Sequence, residues 1–224
     1  MATLLTGKEP TVAVRSTESS RLSRATIAAY SLPSLGLGAM MGLVLVYFLK
    51  FATDVLLIPP ALVGAIFGAA RIWDAVSDPL AGHWSDRTRH ALGRRRPWLF
   101  MSALLLPVGF IALWTPPTRL DSVGLVLWFA VWLFFLHTAL TVFSVPYRAL
   151  GAELSPLPHD RTRAFAASSF AAHLGGVAAI GCVAVIERAP DPRTTALWVA
   201  VVVACATGAL IAIGAGCTPE PAVH

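Results

Sequence analysis

Apolar positions along the chain gather into long blocks, with polar residues confined to short stretches between them. Residues 25–49, 97–118, 122–147, 164–186 and 194–219 contain no Asp, Glu, Lys or Arg. A bilayer-crossing helix takes roughly 17–25 predominantly apolar residues, so each block is long enough for one crossing. A further block, "ALVGAIFGAA" at 61–70, is shorter. It follows Pro59 and Pro60, which suit a helix start because a first turn needs no N–H partner. Ten residues at about 1.5 Å each reach roughly 15 Å, half of a hydrocarbon core about 30 Å thick. Its flanks belong to opposite membrane faces by the charge distribution described next, so the helix is expected to continue through "RIWDAVSDPLAGHW" to about Trp84. The pattern predicts an all-α integral membrane fold: a six-transmembrane-helix bundle over 26–217, with cytosolic tails at 1–25 and 218–224.

Charge supplies the orientation. Only 13% of the 224 residues are charged and 56% are hydrophobic, against about 25% charged in a soluble domain. A soluble fold with five such blocks as core helices would have almost nothing left for its surface. Twelve of the seventeen Lys and Arg lie before the first block, between the second and third helices, or between the fourth and fifth. Cytoplasmic loops carry the Lys/Arg excess, which puts both termini inside a cell membrane and makes the net charge of +5 a topology signal, with no nucleic-acid partner implied. The amino-terminal stretch lacks the short apolar region and small-residue cleavage site of a signal peptide. Cys182, Cys205 and Cys217 have no disulfide or zinc spacing and read as small apolar fillers.

The second helix holds the exceptional charges. Arg71, Asp74 and Asp78 fall at i, i+3 and i+7, one face of an α-helix that Phe67 and Gly82 continue. Ionisable groups in spans face the bundle interior or a wet cavity, since lipid exposure costs about 2.5–3.5 kcal/mol each. Arg71 and Asp74 alone would read as an ion pair holding helices together. One arginine does not neutralise two carboxylates, however, and a second acid one turn away repels the first unless a cation or proton sits between them. Hard oxygen ligands suit an alkali cation or a shared proton, so Na⁺ or H⁺ is the expected missing partner of Asp74 and Asp78.

In the fourth helix, "FFLHTALTVFSVPYRAL", His137, Thr141 and Ser144 share a face. Thr138 reads as an interhelical hydrogen-bonding residue. His137 reads as a hydrogen-bonded packing residue, with titration as the alternative. The fifth and sixth helices are rich in Gly and Ala, which allow backbones to approach closely. "DRTR" occurs twice, at Asp86–Arg89 and Asp160–Arg163, and the first is followed by Gly93 and the triple arginine Arg94, Arg95 and Arg96. Such acidic–basic clusters are expected to pair with helix ends or with each other and hold one conformation closed. No nucleophile–base set, metal-ligand cluster or phosphate-binding glycine loop is present, so no enzyme and no cofactor is expected.

"ARIWDAVSDPLAGHWSDRTRHALGRRRPW" and "VPYRALGAEL" followed by "DRTR" closely resemble the second and fourth spans, with their loops, of the glycoside–pentoside–hexuronide:cation symporters, the melibiose carrier's group within the major facilitator superfamily. The resemblance covers roughly residues 30–163. It implies that Asp74 and Asp78 bind the coupling cation, that Thr141 lies near it, and that Arg71 balances the charge. It also implies that Gly82, Asp86, Arg87, Arg89, Gly93 and Arg94–Arg96, together with Asp160, Arg161 and Arg163, form cytoplasmic gating loops.

Sugar carriers of this group hold the sugar hydroxyls with aspartates in the first and fourth spans. Gly38 and Ser144 stand at those positions here. A galactoside is therefore not implied, and another sugar, a glycoside or a lysophospholipid-like lipid stays open. Family members have twelve spans in two halves with the site between them. This chain is expected to be one half of a major facilitator-type transporter: a fragment, a truncated product, or a chain paired with a second half or with its own copy. A non-transporting membrane assembly partner is the alternative.

Overall fold

A computed structural model describes residues 21–219; the expected tails at 1–25 and 218–224 fall largely outside them. Six long helices follow one another: α1 (Arg24–Leu43), α2 (Pro60–Arg87), α3 (Arg96–Trp114), α4 (Ser122–Glu153), α5 (Pro158–Glu187) and α6 (Pro192–Cys217). Their starts have local causes. Ser23, Asp121 and Asp191 accept backbone N–H bonds of the first turns of α1, α4 and α6, donors that would otherwise lack partners. Pro59 is the N-cap of α2 and Pro60 its first helical residue. α2 ends at Arg87, three residues past the expected end. Gly93 takes φ 103° in the turn before α3, a backbone conformation that glycine adopts without steric cost.

α1 does not stop at Leu43. The backbone stays helical through two wider π-type segments, Val44–Phe48 and Phe51–Val55. Aromatic packing accompanies them: Phe48 stacks on Phe129 with centroids 5.1 Å apart, and Phe48 and Phe51 both meet Trp114, at 5.2 and 5.1 Å.

The helices pack α1 against α5 and α6, α3 against α4 and α6, and α2 against α4. Small residues set the closest seams. A Cβ on Gly38 would lie 1.9 Å from the carbonyl oxygen of Ala172, and one on Gly175 would lie 2.0 Å from that of Leu35. Only bare backbone fits there, as the Gly/Ala content of α5 led one to expect. Gly208 abuts Ala103 and Gly214 abuts Pro33 in the same manner.

Among the described residues, five helices are long and apolar enough to cross a membrane; α2 falls short. The expectation of six spans is therefore met for five by length and composition. At 28 residues, α2 is about 42 Å long. It runs beside α4 from the aromatic cluster, where Phe67 meets Phe129, to the opposite end, where Ser85 and Asp86 meet Arg95. Its central charges lower its hydropathy.

Candidate functional site

α2 and α4 run parallel, in register to within one residue. Phe67 lies against Phe129, Asp74 against His137, Asp78 against Thr141, and Gly82 faces Val145. Polar positions on the two helices thereby meet pair by pair. Thr141 Oγ1 donates to Asp78 Oδ1 at 2.9 Å. Ser77 Oγ lies 3.2 Å from Thr141 Oγ1 and 3.4 Å from the Asp74 carbonyl, to which it donates. His137 Nδ1 lies 3.1 and 3.0 Å from the two oxygens of Asp74. With Asp74 ionised the carboxylate only accepts, so Nδ1 carries the proton. Trp73 Nε1 donates to Thr138 at 2.9 Å, which gives Thr138 the interhelical role expected of it.

The charges are unequally placed. His137 and Thr141 are buried, Asp74 is partly buried, and Asp78 is exposed along the edge of the α2–α4 seam. Arg71 approaches Asp74 at 3.6 Å with its side chain 75% exposed. The buried positions of α2 are Val63, Ala70, Ser77, Ala81 and Ser85. Of the 71/74/78 stripe, Asp74 and Asp78 meet α4 and Arg71 stays exposed beside Asp74. Asp78 has no cationic partner among the described residues, whereas Asp74 has both Arg71 and His137. With His137 neutral, the group holds one more negative charge than positive. Carboxylate and hydroxyl oxygens are hard donors of the kind that take an alkali cation or a proton.

A second polar region lies between α1, α4 and α5. Tyr147 Oη is 2.9 Å from both Ser34 and Ser168, which are 2.6 Å from each other, and it donates to the carbonyl of Tyr30. The Tyr30 and Tyr147 rings stack at 4.5 Å. This network borders a cavity of about 290 Å³ that Ser144, Arg148 and Ser169 also line. No carboxylate lines it. Gly38, one of the two positions matched to the sugar-binding aspartates, does not line it either, because it is pressed into the α1–α5 seam.

The "DRTR" aspartates serve separate contacts and do not meet. Arg95, buried, bridges Asp86 at 2.6 Å and Glu153 at 3.1 Å, while Arg94 binds the same Glu153 at 2.7 Å. Arg96 donates to the carbonyl of Thr218 at the end of α6. Asp160, also buried, accepts from the Leu22 N–H at 2.9 Å and pairs with Arg163 at 3.3 Å. Arg87, Arg89 and Arg161 form no ion pair among the described residues. Glu153 is the member that sequence reasoning missed, although "GAEL" placed an acid at the end of α4.

Residues 29–217 match the family described as MFS/sugar transport protein. An uncharacterized symporter of Synechocystis sp. is 32% identical over 167 residues, 72% of this chain and 30% of the relative. The sodium-dependent lysophosphatidylcholine symporter 1 of Xenopus tropicalis is 34% identical over 55% of this chain and 24% of the relative. The inner membrane symporter YicJ of Escherichia coli is 36% identical over 53% of this chain and 25% of the relative. The chain thus spans well under half the length of the curated relatives it matches. With these likenesses beside the helical bundle, the chain is a multi-pass membrane protein that belongs to the MFS/sugar transport protein family and corresponds to its amino-terminal half.

Proposed function

We propose that this chain forms the amino-terminal six-helix half of a cation-coupled symporter, with α2 as the sixth span and both termini on the cytoplasmic side. Asp74, Asp78 and Thr141 hold the coupling ion, Na⁺ or H⁺, as a co-transported substrate. The observation that carries this reading is Asp78: a carboxylate at mid-helix, oriented by Thr141 and without a counter-charge among the described residues. Arg71 and His137 hold Asp74 in place. On the cytoplasmic face, the Asp86–Arg95–Glu153 bridge ties the ends of α2 and α4 to the start of α3 and steadies a closed state.

The solute binds between this half and a second one, supplied by the same polypeptide, a separate chain or another copy. The cavity beside Ser144 offers it hydroxyls and a guanidinium but no carboxylate, a lining suited to a sugar, a glycoside or the polar head of a lysolipid. The lysolipid reading draws support from the similarity to a lysophosphatidylcholine symporter.

The test is uptake into proteoliposomes containing this chain, alone and joined to a carboxyl-terminal half of a relative. Labelled sugars, glycosides and lysophospholipids are offered with and without an inward Na⁺ or H⁺ gradient. Gradient-dependent uptake that Asp78→Asn abolishes is the expected result. Uptake with the same gradient dependence in Asp78→Asn would remove the carboxylate from the coupling site.

A further inference from the structure

A groove of about 620 Å³ runs between α1 and α5, with no lining residue from α2 or α4. It shares no lining residue with the cavity beside Ser144. Buried Ser31 and half-buried Ala167 form part of its floor, and Ala28 with Phe170 and Leu174, the last two 67% and 49% exposed, stand along its walls. Its lining is apolar apart from Ser31, whose hydroxyl donates to the carbonyl of Ile27, and from one end, where Arg24 and Arg163 enter.

Two features of the groove define an occupant. The first is length. From Arg24 to Leu35 on α1, and from Arg163 to Leu174 on α5, the lining covers eleven residue steps on each helix. Eleven steps rise about 16 Å, close to the depth of a single bilayer leaflet, half of a core about 30 Å thick. The second is charge. Arg24 forms no ion pair among the described residues, and Arg163 is held in position by the buried Asp160, which also binds the start of α1. Two guanidinium groups therefore stand at the headgroup end of an apolar slot, opposed by one carboxylate that is 1% exposed. Basic pockets between transmembrane helices at the cytoplasmic surface select anionic lipid headgroups.

The geometry points to a binding site for one anionic phospholipid of the leaflet that meets the α1 amino terminus. The phosphate lies at Arg24 and Arg163, and an acyl chain lies along Ala28, Ala167, Phe170 and Leu174. The site is separate from the coupling residues, and the lipid bound there braces the α1–α5 pair from its outer side. Its occupancy is read without any uptake measurement, so its failure and that of the transport reading are distinguishable.

The full 224-residue chain is released from vesicles of equal phosphatidylglycerol and phosphatidylcholine content with matched acyl chains, and retained lipid is measured by native mass spectrometry. Phosphatidylglycerol is expected to be retained about fivefold to tenfold over phosphatidylcholine, the preference that one or two basic contacts give. Arg24→Gln should remove most of that preference. Ala167→Phe, which fills the floor without altering charge, should lower retention of both lipids, and Ala28→Phe serves if the first variant does not fold. Equal retention of the two lipids by the unaltered chain would overturn the proposal. So would phosphatidylglycerol retention that neither Arg24→Gln nor the groove-filling variant changes. A photoreactive benzoylphenylalanine in place of Phe170 should cross-link to lipid; cross-linking to residues 1–20 of the chain would overturn it as well.

Discussion

Thr141 on α4 donates a 2.9 Å hydrogen bond to Asp78 on α2, sixty-three residues earlier in the chain. That bond fixes one oxygen of the carboxylate and leaves the other without a partner among the described residues. A carboxylate so held is oriented but not neutralised, which is the condition a reversible cation ligand needs.

Asp78→Asn retains an oxygen that can accept from Thr141 and removes the charge. Because Asp78 is exposed, thermal stability should change by no more than about 0.5 kcal/mol, while gradient-driven uptake by a complete carrier is lost. Thr141→Val removes the orienting hydroxyl and should weaken apparent cation affinity about tenfold, as loss of a supporting contact around a metal ligand does. Uptake titrated against cation concentration, beside a thermal melt of each variant, checks both.

The α1–α5 seam has no room for a methyl group. Gly38→Ala and Gly175→Ala would each push a Cβ into backbone on the facing helix. Overpacking of this kind costs about 1–3 kcal/mol, and the neighbours here are carbonyls that cannot rotate away as a side chain could. Gly176→Ala, on the same helix with open space at its Cβ, is the control and should melt like the unaltered chain. Detergent-solubilised thermal unfolding distinguishes them.

Arg95 joins three helices by bridging Asp86 and Glu153. Arg95→Ala leaves two carboxylates without that partner and should destabilise by about 2–3 kcal/mol, the scale of hydrogen bonds to charged groups. Arg95→Lys should recover little of this, since one ammonium does not reproduce the fork of the guanidinium. Glu153→Gln should be milder, because Asp86 keeps its partner. Chemical unfolding of the three variants gives the ranking.

At the opposite end of the bundle, Asp191 caps α6, and bonds from Thr194, followed by Arg193, hold its carboxyl below the ordinary 3.8. A folded pKa below the unfolded one gives stability that is fully present above the unfolded value and lost as pH falls through the folded value. Amide exchange at Arg193 and Thr194 should therefore stay protected down to about pH 4 and become less protected on further acidification. Asp191→Asn, which caps without titrating, should flatten that dependence.

Much of this was written in the chain. Charge-free blocks located five helices, Pro59–Pro60 and Gly93 marked two boundaries, and the charges at 71, 74 and 78 marked the unusual helix. The i, i+4 spacing of His137 and Thr141 put them on one face, but nothing local said that Asp74 and Asp78 lay opposite with the same spacing. That match depends on a parallel register between elements some sixty residues apart. Two members of the charged stripe, Asp74 and Asp78, meet α4, while the buried positions of α2 beside them are the small residues Ala70, Ser77 and Ala81, which carry no charge to mark them. Gly38 was matched by position to a ligand-binding residue, yet the facing backbone of α5 determines its role. The π-type turns at the end of α1 had no sequence mark at all.

α2 is attached to the other described helices chiefly along one edge, through α4, and that makes it a lever. Asp78 stands eighteen residues beyond Pro60, about 27 Å along the helix. If α2 pivots at its proline start, a tilt of about 5° carries Asp78 sideways by about 2.4 Å, nearly the length of the bond to Thr141. A swing too small to repack a core would thus make or break the Asp78–Thr141 contact, and whatever leans on the exposed side of α2 gains mechanical advantage over that carboxylate.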